Sequence, residues 1–178
     1  MRLAPLYDWL ELEPGPRILL EALKLYGTVE VPGAKNSPII LGWAAELGGW
    51  IASYYQNDEI PWCGLFVGIA AKRAGFPHTQ QSLSAGSWLT WGREIERPVL
   101  GNVLVFQRAG GAHVGLYVGE DDECYHVLGG NQTNAVCIAR LQKGRFLGAR
   151  SCAWRNTPPK NIRAILLKKI GDLSTNEA

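Results

Sequence analysis

The chain has 178 residues, 47% of them hydrophobic and 19% charged. That length and apolar content suit one domain with a core of its own and exclude wholesale disorder. Lys+Arg 18 against Asp+Glu 16 leaves a formal charge of +2, too balanced to mark a nucleic-acid binder, and the longest apolar run, Cys63 to Ala71, is far short of the roughly 20 residues of a membrane-spanning helix.

The opening MRLAPLYDWLELEPGPR sets acids and prolines where a secretory leader has a continuous apolar stretch, so no leader is expected. Residues 1–15 read as an N-terminal extension. Arg17 to Tyr26 is an apolar-periodic run closed by Gly27, which predicts a helix. Ser37-Pro38 supplies an N-cap followed by proline at the first helical position, opening a helix to Leu47 that Gly48-Gly49 should end. After Pro61, the run WCGLFVGIAAKRAGF repeats Cys63, Phe66, Val67, Ala70 and Ala71 at helical spacing until Gly75. Ser84 to Trp91 suggests another short helix.

The period then changes. Val103–Phe106, His113–Val118, Cys124–Leu128, Ala135–Ala139 and Arg145–Cys152 read as short strands separated by Gly, Asn and Asp turns. Helices followed by a meander predict an α+β fold with one antiparallel sheet of about five strands. Residues 161–178 read as a C-terminal strand and, after Ile170, a disordered tail. Charge is uneven: residues 1–60 carry eight acids and four bases, whereas 140–169 carry nine bases and no acid. A basic face for an anionic polymer is one reading and ordinary solvated charge the other, which charge asymmetry alone favours.

Cys63 stands out by position. At the start of a long apolar helix its sulfur would lie near free N–H groups and the positive end of the helix dipole, which favour the thiolate. A buried small hydrophobe is the commoner fate of a free cysteine. The four cysteines, Cys63, Cys124, Cys137 and Cys152, form no CxxC pair and are expected as reduced thiols. The histidines are His78, His113 and His126. His113 opens a strand after a Gly-Gly-Ala turn, suited to reaching a helix end; alternation puts it on one face with Gly115, Tyr117 and Gly119, and Val114, Leu116 and Val118 on the other. His78 reads as loop and His126 as structural. A Cys–His pair works best when a third polar group holds the ring. Asn131, in LGGNQ, would be carried beside His113 by a hairpin through Glu120–Asp122, although turn chemistry explains the same residues. Cys124-x-His126 with Cys137 or Cys152 has zinc-binding atom types but no zinc-site spacing, and Glu120–Glu123 lacks calcium-loop spacing.

Taken together, PWCGLFVGIAAKRAGF, GNVLVFQR, GAHVGLYVGE and VLGGNQTNAV, with TVEVPGAKNSPIILGW upstream, resemble the papain-like cysteine amidohydrolases of the CHAP and NlpC type. The likeness is to a compact group found in bacteriophages and prophages, and it spans residues 16–155. It implies a papain-like single catalytic domain over 1–160, with Cys63 as nucleophile, His113 as general base and Asn131 as the third member. Many relatives carry Glu two residues before that Asn, where this chain has Gly129. The oxyanion would be held by the backbone N–H of Cys63, with Gln56 or Asp58 as alternative helpers.

The implied activity is hydrolysis of an amide bond in peptidoglycan through an acyl-enzyme, as in an endolysin. The bond is either that between N-acetylmuramic acid and L-alanine or one within the stem or cross-link peptide. No metal or other cofactor is implied, and peptidoglycan is the partner, with no nucleic acid, no membrane insertion and a monomer as the default. Among the seven tryptophans, Trp62, Trp88 and Trp91 could line a groove, although packing is their usual role. The alternatives are a non-catalytic wall-binding or virion structural module that keeps the fold, and acyl transfer on the same scaffold. Without a leader, the enzyme is expected in the host cytoplasm until a phage pore releases it, or delivered by a virion or secretion machine.

Overall fold

A computed structural model describes residues 2–33, 35–152, 154, 157–169 and 172–174. The architecture is α+β. Helices α1 (Arg17–Leu23), α2 (Pro38–Leu47), α3 (Gly49–Tyr54) and α4 (Cys63–Arg73) precede the strands β1 (Arg93–Ile95), β2 (Val103–Arg108), β3 (Gly111–Glu120), β4 (Cys124–Gln132), β5 (Ala135–Gln142) and β6 (Phe146–Ser151). The strands form one six-stranded sheet in the order β1-β6-β2-β3-β4-β5, all pairs antiparallel. The sixth strand, against about five expected, is β1. Its three residues, exposed or half-buried, pair only with β6, and so short an edge strand leaves no alternation to read.

Every residue of α4 from Cys63 to Ala71 is buried, as expected of a helix that is apolar all round. It lies against β3 and β4 on one side and α1 and α2 on the other. Lys72 and Arg73 occupy its last turn, where cations complement the helix dipole, and Gly75 follows at φ 83° to end it. Arg73 grips Glu46 of α2 with two bonds of 3.0 and 2.6 Å. Ser37 precedes Pro38 as expected but makes no side-chain cap; its own N–H donates to the buried Asp58 Oδ2 at 2.7 Å. Gly48-Gly49 redirects the chain and does not end helical structure, because α3 begins at once. Ser84–Trp91 contains a short 3₁₀ helix, Ala85–Thr90.

Alternation in the sheet separates two cores. Val103, Val105, Val114, Leu116, Val118 and Leu128 face the helices, whereas Leu104, Phe106, Tyr117, Val127, Leu141 and Ala149 form a smaller cluster with Tyr125 and Phe146 packed against it. The N-terminal extension belongs to the packed body: Pro5–Leu12 is a 3₁₀ helix whose Tyr7 and Leu10 are buried. Near the other end, Glu120 donates its N–H to Ile165 and accepts that of Leu167, and Leu173 bridges to Arg140 in parallel. The rest of the tail after Ile170, at positions 171 and 175–178, lies outside the described residues.

Among the described residues, five bases of the stretch 140–169 are opposed by acids. Arg140, Lys143, Arg150, Arg163 and Lys169 pair with Asp121, Glu120, Glu94, Glu13 and Glu123. No helix among the described residues is long and apolar enough to cross a membrane.

Candidate active site

Cys63 is the first residue of α4 and is 2% exposed. It opens onto a cleft of about 380 Å³ between Pro61, the Leu83–Gly86 segment and the β2–β3 hairpin, which contributes Arg108 and Gly110–Ala112. The sulfur is within reach of three backbone N–H groups, those of Val114, Gly64 and Cys63 itself. The first of these matters most, since Val114 follows His113. The fold thus brings the start of α4 to the start of β3, 50 residues away in sequence.

Two effects compete on the thiol. Burial pushes the Cys63 thiol up, while the N–H of Val114, the Arg108 charge and the N–H groups of Gly64 and Cys63 pull it down. Burial wins. The helix terminus moderates the desolvation cost of a thiolate without removing it, so burial favours the neutral thiol. The sequence-based expectation of a dipole-favoured thiolate omitted burial, which only the packed structure supplies.

His113 is fully buried. Its Nε2 lies 3.1 Å from Gln132 Oε1, and the amide nitrogen of Gln132 donates to the carbonyls of Cys137 at 2.7 Å and Val127 at 3.2 Å. With the amide orientation fixed by those acceptors, Oε1 accepts and Nε2–H donates. A neutral His113 ring therefore carries its basic lone pair on Nδ1.

The hairpin of β3 and β4 forms where the sequence placed it. Leu116 faces Leu128, so the register extrapolates to 113 opposite 131. The Nε2 contact at 3.1 Å is made by the next residue, Gln132. A bulge interrupts the β4–β5 ladder between Gly129 and Gln132, and Asn131 sits at φ 56°, in the left-handed region that Asn tolerates better than most residues. Bulges re-aim side chains. Asn131 is buried at 2% exposure and Gln132 at 0%.

The glycine pair before Asn131 has a steric reason. A Cβ on Gly129 would lie 2.7 Å from Gln132 Oε1 and 3.1 Å from His113 Nε2, while one on Gly130 would lie 2.6 Å from Phe66 Cβ and 2.7 Å from the Trp62 ring. One glycine leaves room for the ring contact and the other for the first turn of α4. Trp62 is itself fixed by its indole N–H, which donates to Glu30 at 3.0 Å; nothing in the sequence pattern singled out Glu30.

Of the possible helpers, Gln56 turns its amide to the Ala52 carbonyl. Asp58 clamps the upstream loop by accepting the N–H groups of Val31 and Ser37. Trp62 and Trp88 are fully buried and Trp91 nearly so, so their main role is packing. His78 is held by Thr79 and Ser82.

His126 belongs to a separate buried chain. Tyr7 donates to its Nδ1 at 2.7 Å, and Nε2 donates to Asp121 Oδ2 at 2.9 Å. Arg140 donates to the same oxygen at 2.8 Å. Burial pushes the Tyr7 phenol up to about 12, keeping it a donor. Both ring nitrogens of His126 are thereby engaged within the protein. All four cysteines are free of disulfides, and among the described residues no group of three or more His, Cys, Asp or Glu is placed to hold a metal ion.

This chain gives the fold a pH dependence with a definite sign. Burial outweighs the pull of Asp121 and lowers the His126 pKa from 6.5. As pH falls below that value the unfolded chain takes up the proton first, so stability is lost between 6.5 and the lower folded value. Asp121 acts in the same direction at more acidic pH: burial raises its carboxyl, but Arg140, His126 and two backbone N–H groups together hold it well below the ordinary carboxylate range. Urea midpoints are expected to drop from pH 7.5 to pH 5, and to drop less in His126→Gln, which keeps hydrogen-bonding capacity without titrating. Equal pH slopes in the two proteins would remove His126 from this role.

Compared with models of known protein families, the sequence matches none, and no curated protein matches it at a significant level.

Proposed function

We propose that this protein is a papain-like cysteine amidohydrolase that cleaves an amide bond of peptidoglycan. The observation that carries the chemical part is the placement of Cys63. A helix-initial thiol opens onto a cleft, with its sulfur against the backbone N–H that follows a buried histidine, and a carboxamide holds that ring in one tautomer. The choice of peptidoglycan rests on the resemblance of the four motifs to the CHAP and NlpC group. Gly129 stands where many relatives carry Glu, and the Gln132 amide supplies the polar atom on His113 in its place.

In this reading His113 Nδ1 takes the Cys63 proton as the sulfur attacks the amide carbonyl, giving a tetrahedral oxyanion. Backbone N–H at the start of α4, that of Cys63 first, faces the developing charge. The C–N bond then breaks, with His113 returning the proton to the leaving amine, and water hydrolyses the thioester to restore the thiol. Mass spectrometry of digested peptidoglycan tests the assignment. New free amines on L-alanine mean an N-acetylmuramoyl-L-alanine amidase, and cut stem or cross-link peptides mean an endopeptidase. Digests indistinguishable from a no-enzyme control across several wall types would overturn the reading in favour of a non-catalytic wall-binding module.

Gln132 has its own expected result. Gln132→Leu removes the acceptor that fixes the His113 tautomer and should lower kcat by about 10- to 100-fold. Gln132→Glu should keep more activity but move the acidic limb of the pH–rate profile upward, because a carboxylate beside the ring favours imidazolium. A profile unmoved by Glu would argue that the 3.1 Å contact is not made in the working enzyme.

A further inference from the structure

Resting on the reading of Cys63 as the nucleophile, we propose that Arg108 is the anion-recognition residue of its cleft, so that the site takes amides carrying a free carboxylate beside the scissile bond. Among the described residues lining the cleft, Arg108 is the one charged side chain; the rest are Pro61, Cys63 and small or apolar residues of the 83–86 and 110–112 segments. A single cation on an otherwise neutral wall sets the sign of the field inside it.

The guanidinium is not committed elsewhere. Its Nε donates to the Ala112 carbonyl at 3.2 Å and Nη1 to that of Ala109 at 3.4 Å, both within its own hairpin and at the long end of hydrogen-bond range. Among the described residues it makes no salt bridge, in contrast to Arg73, Arg140 and Arg163. Those two bonds hold the head at the cleft wall. They leave most of its five donors for a planar, two-oxygen acceptor. Its charge is also felt at the Cys63 sulfur, so the anion would bind beside the reacting atom and not at a remote patch.

This narrows the choice of bond. The lactyl amide between the sugar and L-alanine has no carboxylate on its acyl side, whereas stem peptides carry free carboxylates next to their amide bonds. Arg108 therefore favours the stem-peptide cleavage.

Cys63 itself reports on the field. Its thiolate displaces iodide from iodoacetate or iodoacetamide, forming one C–S bond and releasing one iodide in either case, and the reagents differ in charge. The ratio of the two second-order rates cancels any change in thiol ionisation caused by the substitution. That ratio should fall about 5- to 10-fold in Arg108→Gln and recover in Arg108→Lys. Equal ratios in the wild type and Arg108→Gln overturn the proposal; failure of both reagents to label Cys63 also overturns it, since nothing then enters the cleft. Wild-type protein should further digest native peptidoglycan about ten-fold faster than peptidoglycan whose carboxylates have been converted to amides, and equal rates on the two would overturn the substrate assignment. Charge-selective alkylation without digestion of either would retain the anion site and remove the hydrolase reading.

Discussion

Cys63→Ala is expected to abolish peptidoglycan hydrolysis, with kcat falling by at least about 10³-fold. The proposed chemistry has one covalent participant, and no other cysteine opens onto the same cleft among the residues that line it. The change removes a buried sulfur and leaves α4 and its packing in place, so the cost in stability should be about 1 kcal/mol. Loss of activity can then be separated from loss of fold by circular dichroism and a urea titration on the same preparation. His113→Ala should fall almost as far. The double variant should be no worse than Cys63→Ala alone, because nucleophile and base act as a unit and their effects do not add. If Cys63→Ala kept a tenth or more of the wild-type rate, or if the two losses multiplied, the chemistry would belong to other groups.

Gly64→Ala should be among the most destabilising single changes in the chain. A Cβ at that position would lie 2.1 Å from the Ser82 carbonyl oxygen and 2.9 Å from that of Leu83. Both are backbone atoms, so neither can swing aside as a side-chain end does, and Leu83 itself lines the Cys63 cleft. Relief requires moving α4 away from residues 82–83, which would open the main core and displace Cys63 together. The expected loss is about 3 kcal/mol or more, read as a lower urea midpoint, with activity lost in the fraction that stays folded. Gly42→Ala is the control. That glycine lies within α2, a Cβ there would meet nothing within 4 Å, and the helix should gain about 0.5–1 kcal/mol from it. If both substitutions moved stability equally, the close approach at Gly64 would not hold in solution.

Much of this architecture is legible in the residues. The apolar run from Cys63 to Ala71 has one stable outcome, a central helix, and its start places the thiol at a helix terminus. Period-two alternation from Val103 onward gives the antiparallel hairpins, and the β3–β4 register follows from a short polar turn between two apolar strands. Elements that lack an internal period are another matter. β1 has three residues and exists through β6. The 3₁₀ turn at Pro5–Leu12 is held by packing and by the Tyr7–His126 bond, across 119 residues of sequence. Gly48-Gly49 carries a helix-stop signal, yet α3 follows directly, since left-handed glycines permit a change of direction as readily as an end.

The site divides the same way. Sequence by itself determined that Cys63 would stand at a helix start and His113 near a strand start, because those are local properties of spacing and turn type, and it singled them out as the candidate nucleophile and base. Tertiary structure decided three things. It decided that burial outweighs the helix terminus in setting the Cys63 thiol, because desolvation depends on everything packed around the sulfur. It decided that Gln132 makes the hydrogen bond to His113 Nε2, because a bulge between two strands, not the alternation of one, aims that side chain. It decided that Arg108 stands alone as a charge on the cleft wall, because the helix start, the 83–86 segment and a hairpin tip meet there only when the chain is folded.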